Sequence, residues 1–490
     1  MLYLSLCLLL CSYFVEETIG YITDLGTLPT FSDWAIIPYT IATYGRVLYK
    51  EDGKYFFKNT SRNLVPEGEQ VEYFKHFLKS SEIYVDKSPF ITEVLNDPNR
   101  AIRILRPRMW GKTLNLNMLE KFLEIEVDEK GNPVDEKFKR NPELFCGAGS
   151  KQLKVCNDKE SMNVFGKHPV LSISLKGIRG NSYKEIELGI RERLTTAFQK
   201  HYYLKRYLND NETLLPFVAM KDRLLSLMEG DPHTIDMLCS IQFVSELLYN
   251  HHGNSTRVYL LIDDFDSPII NAFAAFGHNK TEYDELMEFV QGFYSMGVND
   301  NEYLEKVVMT GTYHLYLDDD FAGLTNVTEY NILQDDKYGK YFGFSQQDVE
   351  GLLAEKSIST PISQVQQWYN GYKVGGSESV YNPGSVMQFI QNGGKLDQYT
   401  VQKVNDPFLT KILASDEAKS VLRKVSTEEL LVEGDEADIE IDPPQNYVSK
   451  SIVLMCNGIL TPTMIDLEKE VLKLKLPNEE VKEFVKKVLA

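Results

Sequence analysis

Short apolar runs alternate with helical patterning along most of the chain. Residues 101–105 are apolar apart from Arg103, and a turn holding Pro107 and Gly111 follows. An amphipathic stretch then starts near Lys112 and runs to about residue 125. Residues 169–175 alternate as a core strand does. Residues 258–262 form a continuous apolar run closed by Asp263 and Asp264, and residues 307–310 form another buried run. Between them the spacing predicts helices over 183–208, 214–229, 234–250 and 283–295. Strands separated by helices specify a mainly parallel sheet covered by helices, an α/β fold. Further on, helices are expected at 345–356, with Ser345 as N-cap, at 362–369 and at 386–391. The acidic stretch 428–444 reads as a linker. Residues 447–490 read as helix, short strands around 472–474 and a terminal helix, a small winged-helix-like domain.

Chemistry enters where two of these strands end. A strand, a turn closing on Gly111-Lys112-Thr113 and then a helix is the order that a phosphate-binding loop needs. Backbone N–H groups and the helix N-terminus face an anion, Lys112 reaches the β/γ-phosphates, and the Thr113 hydroxyl can hold Mg²⁺. The usual first Gly is Arg106 here, so the motif alone fits an ordinary helix start equally well. The second strand end supplies carboxylates. Asp263 is placed to hold Mg²⁺, usually through water, and Asp264 to orient an attacking water.

The two elements together carry a resemblance. From about Tyr84 to the C-terminus the chain resembles the AAA-ATPase-like family of predicted ATPases. The matching residues include Tyr84-Val85-Asp86-Lys87, Arg106-Pro107-Arg108-Met109-Trp110-Gly111-Lys112-Thr113-Leu114 and Leu261-Ile262-Asp263-Asp264-Phe265-Asp266. Met309-Thr310-Gly311, Tyr341-Phe342-Gly343-Phe344, Trp368-Tyr369-Asn370-Gly371-Tyr372 and Tyr381-Asn382-Pro383 follow in the same order. In that family Arg commonly replaces the first Gly. The resemblance implies a P-loop NTPase fold with a helical, lid-like subdomain, ATP and Mg²⁺ as cofactors, and Arg106 to Leu114 as the nucleotide-binding loop. Thr113 and Asp263 would hold the metal, Asp264 would serve as base, and Thr310 would sense the γ-phosphate. Three departures stand out: Asp264 where members carry Glu, His314 near where they carry Arg, and no restriction-endonuclease-like domain after residue 490. Trp368, Tyr369 and Tyr372 are read as core packing rather than base stacking.

Composition narrows the classes. The 490 residues are 43% hydrophobic, with 28 Tyr and 25 Phe, as a folded chain requires. The formal charge of −19 opposes general attraction to nucleic acid or anionic membrane. Against it stands a basic cluster, Arg100, Arg103, Arg106, Arg108, Lys112 and Lys121, around the proposed loop, which suits a small polyanion. No Cys-x-x-Cys or His cluster suggests zinc.

Residues 1–20 read as a secretory signal, with an uncharged apolar run from Leu2 to Val15 that is too short to span a bilayer. Without it no transmembrane segment is expected, and the chain would lie outside the cell or in the secretory lumen. Cys146, Cys156, Cys239 and Cys456 would then remain. Cys146 and Cys156 are near enough for a local bridge, although sequence does not fix pairing. Among the N-glycan acceptors, Asn254 and Asn279 lie in polar loops.

The expected divisions are a signal (1–20), a lineage-specific segment (21–80), the P-loop domain (81–343), a helical subdomain (344–425), and an acidic linker with the small C-terminal domain (426–490). Two functions stay open: a nucleotide-binding ATPase with slow turnover, and a secreted pseudo-ATPase that binds an unknown protein partner. Nucleic-acid processing is disfavoured by the charge.

Overall fold

The computed structural model describes residues 46–51, 54–59, 73–81, 83–147, 152–208, 218–230, 232–253, 255–315, 327–334, 337–374, 379–401, 406–433, 449–466 and 469–490. The signal segment, Asn254 and most of the acidic linker lie outside them. The chain divides into two units, Met1–Gln70 and Val71–Ala490. In the first, strands β1 (Arg46–Glu51) and β2 (Lys54–Asn59) pair antiparallel, with Arg46 opposite Asn59.

The second unit is built on a five-stranded sheet. Its strands are β3 (Ala101–Leu105), β4 (Val170–Ser174), β5 (Val258–Asp263), β6 (Leu304–Gly311) and β7 (Val327–Tyr330). They lie in the order β4-β5-β6-β3-β7, and every pairing is parallel. All residues of β3 and β5 are buried, as strands covered on both faces must be. This accounts for the continuous apolar run of β5 and for that of β3 apart from Arg103. Helix Lys112–Leu123 packs on β5 and β6, Tyr183–Gln199 on β4, and Ser240–His251 on β5. Because β3 and β5 both run parallel to β6, which lies between them, the loops leaving β3 and β5 open on the same edge, one strand apart. Ligands bind at such an edge in open α/β sheets.

The predicted elements are present, with informative shifts. The long helix expected over 183–208 stops at Gln199, and 3₁₀ turns span Tyr202–Leu208. The helix expected over 234–250 breaks at Cys239 into Thr234–Leu238 and Ser240–His251. Ser240 Oγ donates to the Met237 carbonyl at 2.7 Å, a local bond that competes with helix continuation. The acidic stretch is not wholly a linker. Leu430–Glu433 forms β8, which pairs with β10 (Val471–Lys475), itself paired with β9 (Thr461–Asp466). Its apolar Leu430, Leu431 and Val432 explain this, since Val432 is fully buried. Ser345 caps Gln346–Glu355 in a reciprocal capping box with Asp348.

Helix Tyr73–Ser80, placed in the lead-in by sequence, belongs to this unit. Phe74 is buried, its N–H donates to Asn117 Oδ1 at 2.7 Å, and its ring meets Tyr84 and Phe145. One apolar core runs from the sheet into the helices after residue 407 and the C-terminal strands. A smaller core lies under Gln346–Glu355, Ile362–Tyr369 and Pro383–Gln391. Tyr369 and Tyr372 are buried, Tyr369 against Phe389 and Tyr372 against Trp110, so this cluster packs rather than presents itself. Cys146 and Cys156 form a disulfide with Cα atoms 5.9 Å apart.

The sheet is anchored at the edge opposite those loops. Buried Asp97 accepts from Lys337 Nζ at 2.9 Å, from the Tyr338 and Tyr330 hydroxyls at 2.8 Å, and from the Asn99 N–H at 2.9 Å. Lys306 on β6 donates to the Val94 and Asp97 carbonyls. Burial pushes the Asp97 carboxyl up, but these donors outweigh it and hold it at about 2. Unfolded Asp titrates near ~3.9, so this stabilisation is complete above that value and is lost as pH falls towards about 2. Asp97→Ala is expected to cost about 3–5 kcal/mol in urea unfolding at neutral pH, with the difference narrowing as the medium is acidified.

Candidate functional site

The loop after β3 is shaped by two left-handed residues, Met109 (φ 66°) and Gly111 (φ 83°). Gly111 takes this conformation without steric cost, whereas Met109 stores strain. The first helical bond runs from the Asn115 N–H to the Gly111 carbonyl. The N–H groups of Lys112, Thr113 and Leu114 therefore precede the helical ladder and face the loop. Lys112 is buried, and its Nζ donates to the Arg106 carbonyl at 2.8 Å, the Pro107 carbonyl at 3.2 Å and Thr312 Oγ1 at 3.3 Å. Burial lowers its pKa, and Asp264, Asp266 and Asp263 oppose that shift.

The loop side chains divide by direction. Arg106 turns beneath the loop: Nη1 donates to the Leu105 carbonyl at 2.6 Å and the Tyr330 carbonyl at 3.0 Å, and its guanidinium lies 5.5 Å from the Phe342 ring centre. Burial pulls its pKa down to about 9. An Arg is thus tolerated at the first Gly position because its side chain leaves the loop towards β7. Trp110 is likewise buried, edge-on to Tyr372 at 5.3 Å. Met109 is 57% exposed. Arg108 reaches across to Asp406, the N-cap of Pro407–Ala414, at 2.7 Å. Gly384 abuts Met109 so closely that a Cβ there would lie 2.8 Å from the Met109 Cβ. The later helices therefore brace the loop directly.

The carboxylates stand opposite. Asp263, 4% exposed, accepts from Thr113 Oγ1 through Oδ2 and from Thr310 Oγ1 through Oδ1, both at 2.7 Å. Burial, with the charge of Asp264 added, pushes its carboxyl up to about 6. Asp264 turns the chain at φ 50°, and the Phe265 N–H returns to the Thr310 carbonyl at 3.0 Å. Asp266 is buried, and its Oδ2 accepts the Thr312 and Tyr313 N–H groups at 2.7 and 2.8 Å. Burial and then Asp264 raise it, too, to about 6. Asp264, Asp266, Arg108, Arg179, Thr312 and Asp406 line a small open cavity beside the loop.

Thus Lys112, Thr113, Asp263, Asp264 and Thr310 come together at one sheet edge, while the Arg106 and Trp110 side chains do not join them. His314 is held elsewhere. Its Nδ1 lies 2.7 Å from Glu329 Oε1, and Glu329 also pairs with Arg103 Nε at 2.7 Å. It acts as a structural partner of a buried acid. Sequence missed Thr312, Asp266 and Asp406. The first two sit within two or three residues of assigned positions, whereas nothing local marks Asp406. The assembled donors are hard oxygens with an ammonium, suited to phosphate and Mg²⁺ rather than zinc. Among the described residues no group of three or more His, Cys, Asp or Glu side chains could cage a metal.

A loop of this shape after the first core strand, facing an acidic strand end across a parallel sheet, fits the P-loop-like α/β class. The family model described as Predicted AAA-ATPase matches residues 70–321, just over half of the chain, and the chain belongs to that family. It is also 23% identical, over 390 residues, to an uncharacterized protein in the vnfD 5′ region of Azotobacter chroococcum mcd 1. That match covers 76% of this chain but 63% of the relative, so the chain spans less than two thirds of that protein's length.

A carboxyl raised to about 6 in the fold, against ~3.9 unfolded, favours folding at low pH and loses that advantage as pH rises through its folded value. Asp263→Asn should therefore be more stable than wild type at pH ~8, by about 1–3 kcal/mol, with the gap shrinking towards pH ~4. Urea unfolding at the two pH values checks this, and a less stable variant at the higher pH would refute it.

Proposed function

We propose that this chain binds ATP with Mg²⁺ at the loop of Lys112 and Thr113, and hydrolyses it slowly. The observation that carries the reading is the meeting of Lys112, Thr113 and Asp263, from positions 150 residues apart, at one buried edge beside an open cavity. Phosphate oxygens would replace the Arg106 and Pro107 carbonyls as acceptors for Lys112, and the N–H groups of residues 112–114 would face the same charge. The Thr113 hydroxyl and the Asp263 carboxylate are the groups that would hold Mg²⁺, whose charge would offset that of the phosphates. Asp264, at the cavity wall, is placed to orient water. It is shorter than Glu by one C–C bond, about 1.5 Å. A misplacement on that scale costs on the order of 10²-fold in rate. Binding depends on Lys112 and is untouched by this deficit. The helices after residue 344 fit a lid role, since Arg108–Asp406 and the Gly384–Met109 contact tie them to the loop.

We further place the chain in the secretory pathway. The uncharged apolar run Leu2 to Val15 and the Cys146–Cys156 disulfide support this, because such bridges persist in oxidising compartments. A pseudo-ATPase that docks an unidentified protein partner is the second reading, favoured by Asp264. Asn279, partly exposed at the start of Lys280–Val298, is the described glycan acceptor, with Asn254 outside the described residues.

Labelled ATP is expected to bind the purified wild type more tightly with Mg²⁺, and Lys112→Ala should abolish binding. Asp264→Glu should raise phosphate release on the order of 10²-fold. Failure of a folded wild type to bind millimolar-range ATP would overturn the reading, whereas binding with no release by either form would select the pseudo-enzyme. For the compartment, the mass of protein secreted from expressing eukaryotic cells should show loss of about 20 N-terminal residues and a closed Cys146–Cys156 bridge. An uncleaved cytosolic product with free thiols would refute it.

A further inference from the structure

The C-terminal edge of the sheet carries a row of polar side chains, of which only part has been accounted for. In the parallel register Ser174 on β4 stands beside Asp263 on β5. Ile262 stands beside Met309, which sets Asp263 next to Thr310 on β6. Residues in register on neighbouring strands project from the same face. The Thr310–Asp263 hydrogen bond shows this for one half of the row. Thr113 reaches Asp263 from the helix after the loop, so three oxygen-bearing groups already meet there.

Ser174 is the fourth, and it is unsatisfied. The residue is 8% exposed and its Oγ has no hydrogen-bond partner among the described residues. A buried hydroxyl without a partner is destabilising, and an Ala would avoid that cost. On the same face the preceding residue, Ser172, is also polar but half-buried, whereas Ser174 is buried, so 174 is the position of this face where a hydroxyl is withdrawn from solvent. The position is immediately beside the one carboxylate of the row, whose two oxygens are taken by Thr113 and Thr310.

We propose that Ser174 completes the divalent-cation site, hydrogen-bonding a water carried by Mg²⁺ held at Thr113 and Asp263. This rests on the nucleotide reading above and extends it to a residue outside both sequence motifs. Mg²⁺ sheds water reluctantly and is bound through few protein groups, so the waters it keeps need partners. A serine hydroxyl can donate to one oxygen and accept from another. It is thus suited to a site bordered by a carboxylate on one side and metal-bound water on the other. Outer partners of this kind set metal affinity rather than nucleotide contact.

The test is a titration of Mg²⁺, and separately of Mn²⁺ followed by its magnetic resonance signal, at fixed labelled ATP. Wild type, Ser174→Ala and Ser174→Thr are compared, each also in EDTA. Ser174→Ala should bind ATP in EDTA as wild type does, yet need about tenfold more metal for half-maximal effect. Ser174→Thr, which keeps the hydroxyl on a β-branched side chain suited to a strand, should behave like wild type. Equal metal midpoints for wild type and Ser174→Ala would overturn the assignment while leaving the nucleotide reading intact. So would an equal shift in Ser174→Thr and Ser174→Ala, which would mark a packing effect. Wild type that binds no ATP under any condition would overturn the nucleotide reading and this assignment with it.

Discussion

The arrangement at the loop edge depends on burying charges that, among the described residues, have no ion-pair partner at contact distance. Lys112 is sequestered with its ammonium on two backbone carbonyls and a hydroxyl. Asp263 and Asp266 are sequestered with hydroxyl and backbone donors. The cation and the acids influence each other through space, yet neighbouring backbone and side-chain dipoles supply their contacts. Such an arrangement is expensive for a fold that only has to be stable. The ligand proposed above would offset the cost by bringing opposite charge to each side, phosphate to Lys112 and a cation to Asp263.

The loop can hold this state because it is braced from both sides. Beneath it, Arg106 ties β3 to the Tyr330 carbonyl on β7 and rests on Phe342. Above it, Trp110 meets Tyr372, Gly384 meets Met109, and Arg108 meets Asp406. The Arg108 pair is half exposed, so its contribution to stability is small. Its value is positional: it is the charged contact through which a change at the loop would be felt by the later helices. The strain at Met109 and at Asp264, both left-handed without being glycine, is confined to the two turns that form the site.

Much of this was legible in the chain itself, for identifiable reasons. β5 announces itself as a buried parallel strand because both faces are covered, so its residues are apolar until the acids begin, and β3 does so apart from Arg103. The Gly111-Lys112-Thr113 helix start is visible because left-handed geometry demands glycine at that point. Seven ordered motifs gave the family, which the match over residues 70–321 bears out. What was hidden is what depends on distance in sequence. Asp406 lies 298 positions from Arg108, and no periodicity links them. Strand β8 hid inside an acidic stretch because only Val432 of its four residues is buried. The inward or downward turn of Arg106 could not be read either, since an arginine in a basic cluster on a phosphate loop looks like a ligand contact.

The two ends of the sheet hold buried acids in contrasting surroundings. Asp97 is buried and collects Lys337, two tyrosine hydroxyls and a backbone N–H, so its carboxyl is driven down and its ionised form stabilises the fold. Asp263 is equally buried, meets only two hydroxyls, and sits beside the like charge of Asp264, so its carboxyl is driven up. The supply of donors differs between them, and so does the neighbouring like charge, which Asp263 has in Asp264. A fold selected for stability alone would have completed the donor set at both ends, as it did at Asp97. At the opposite edge the set is left short on the same row where the Ser174 hydroxyl lacks a partner. That shortfall, in a carboxylate and a neighbouring hydroxyl together, is what supports the proposal of a hydrated cation at this edge.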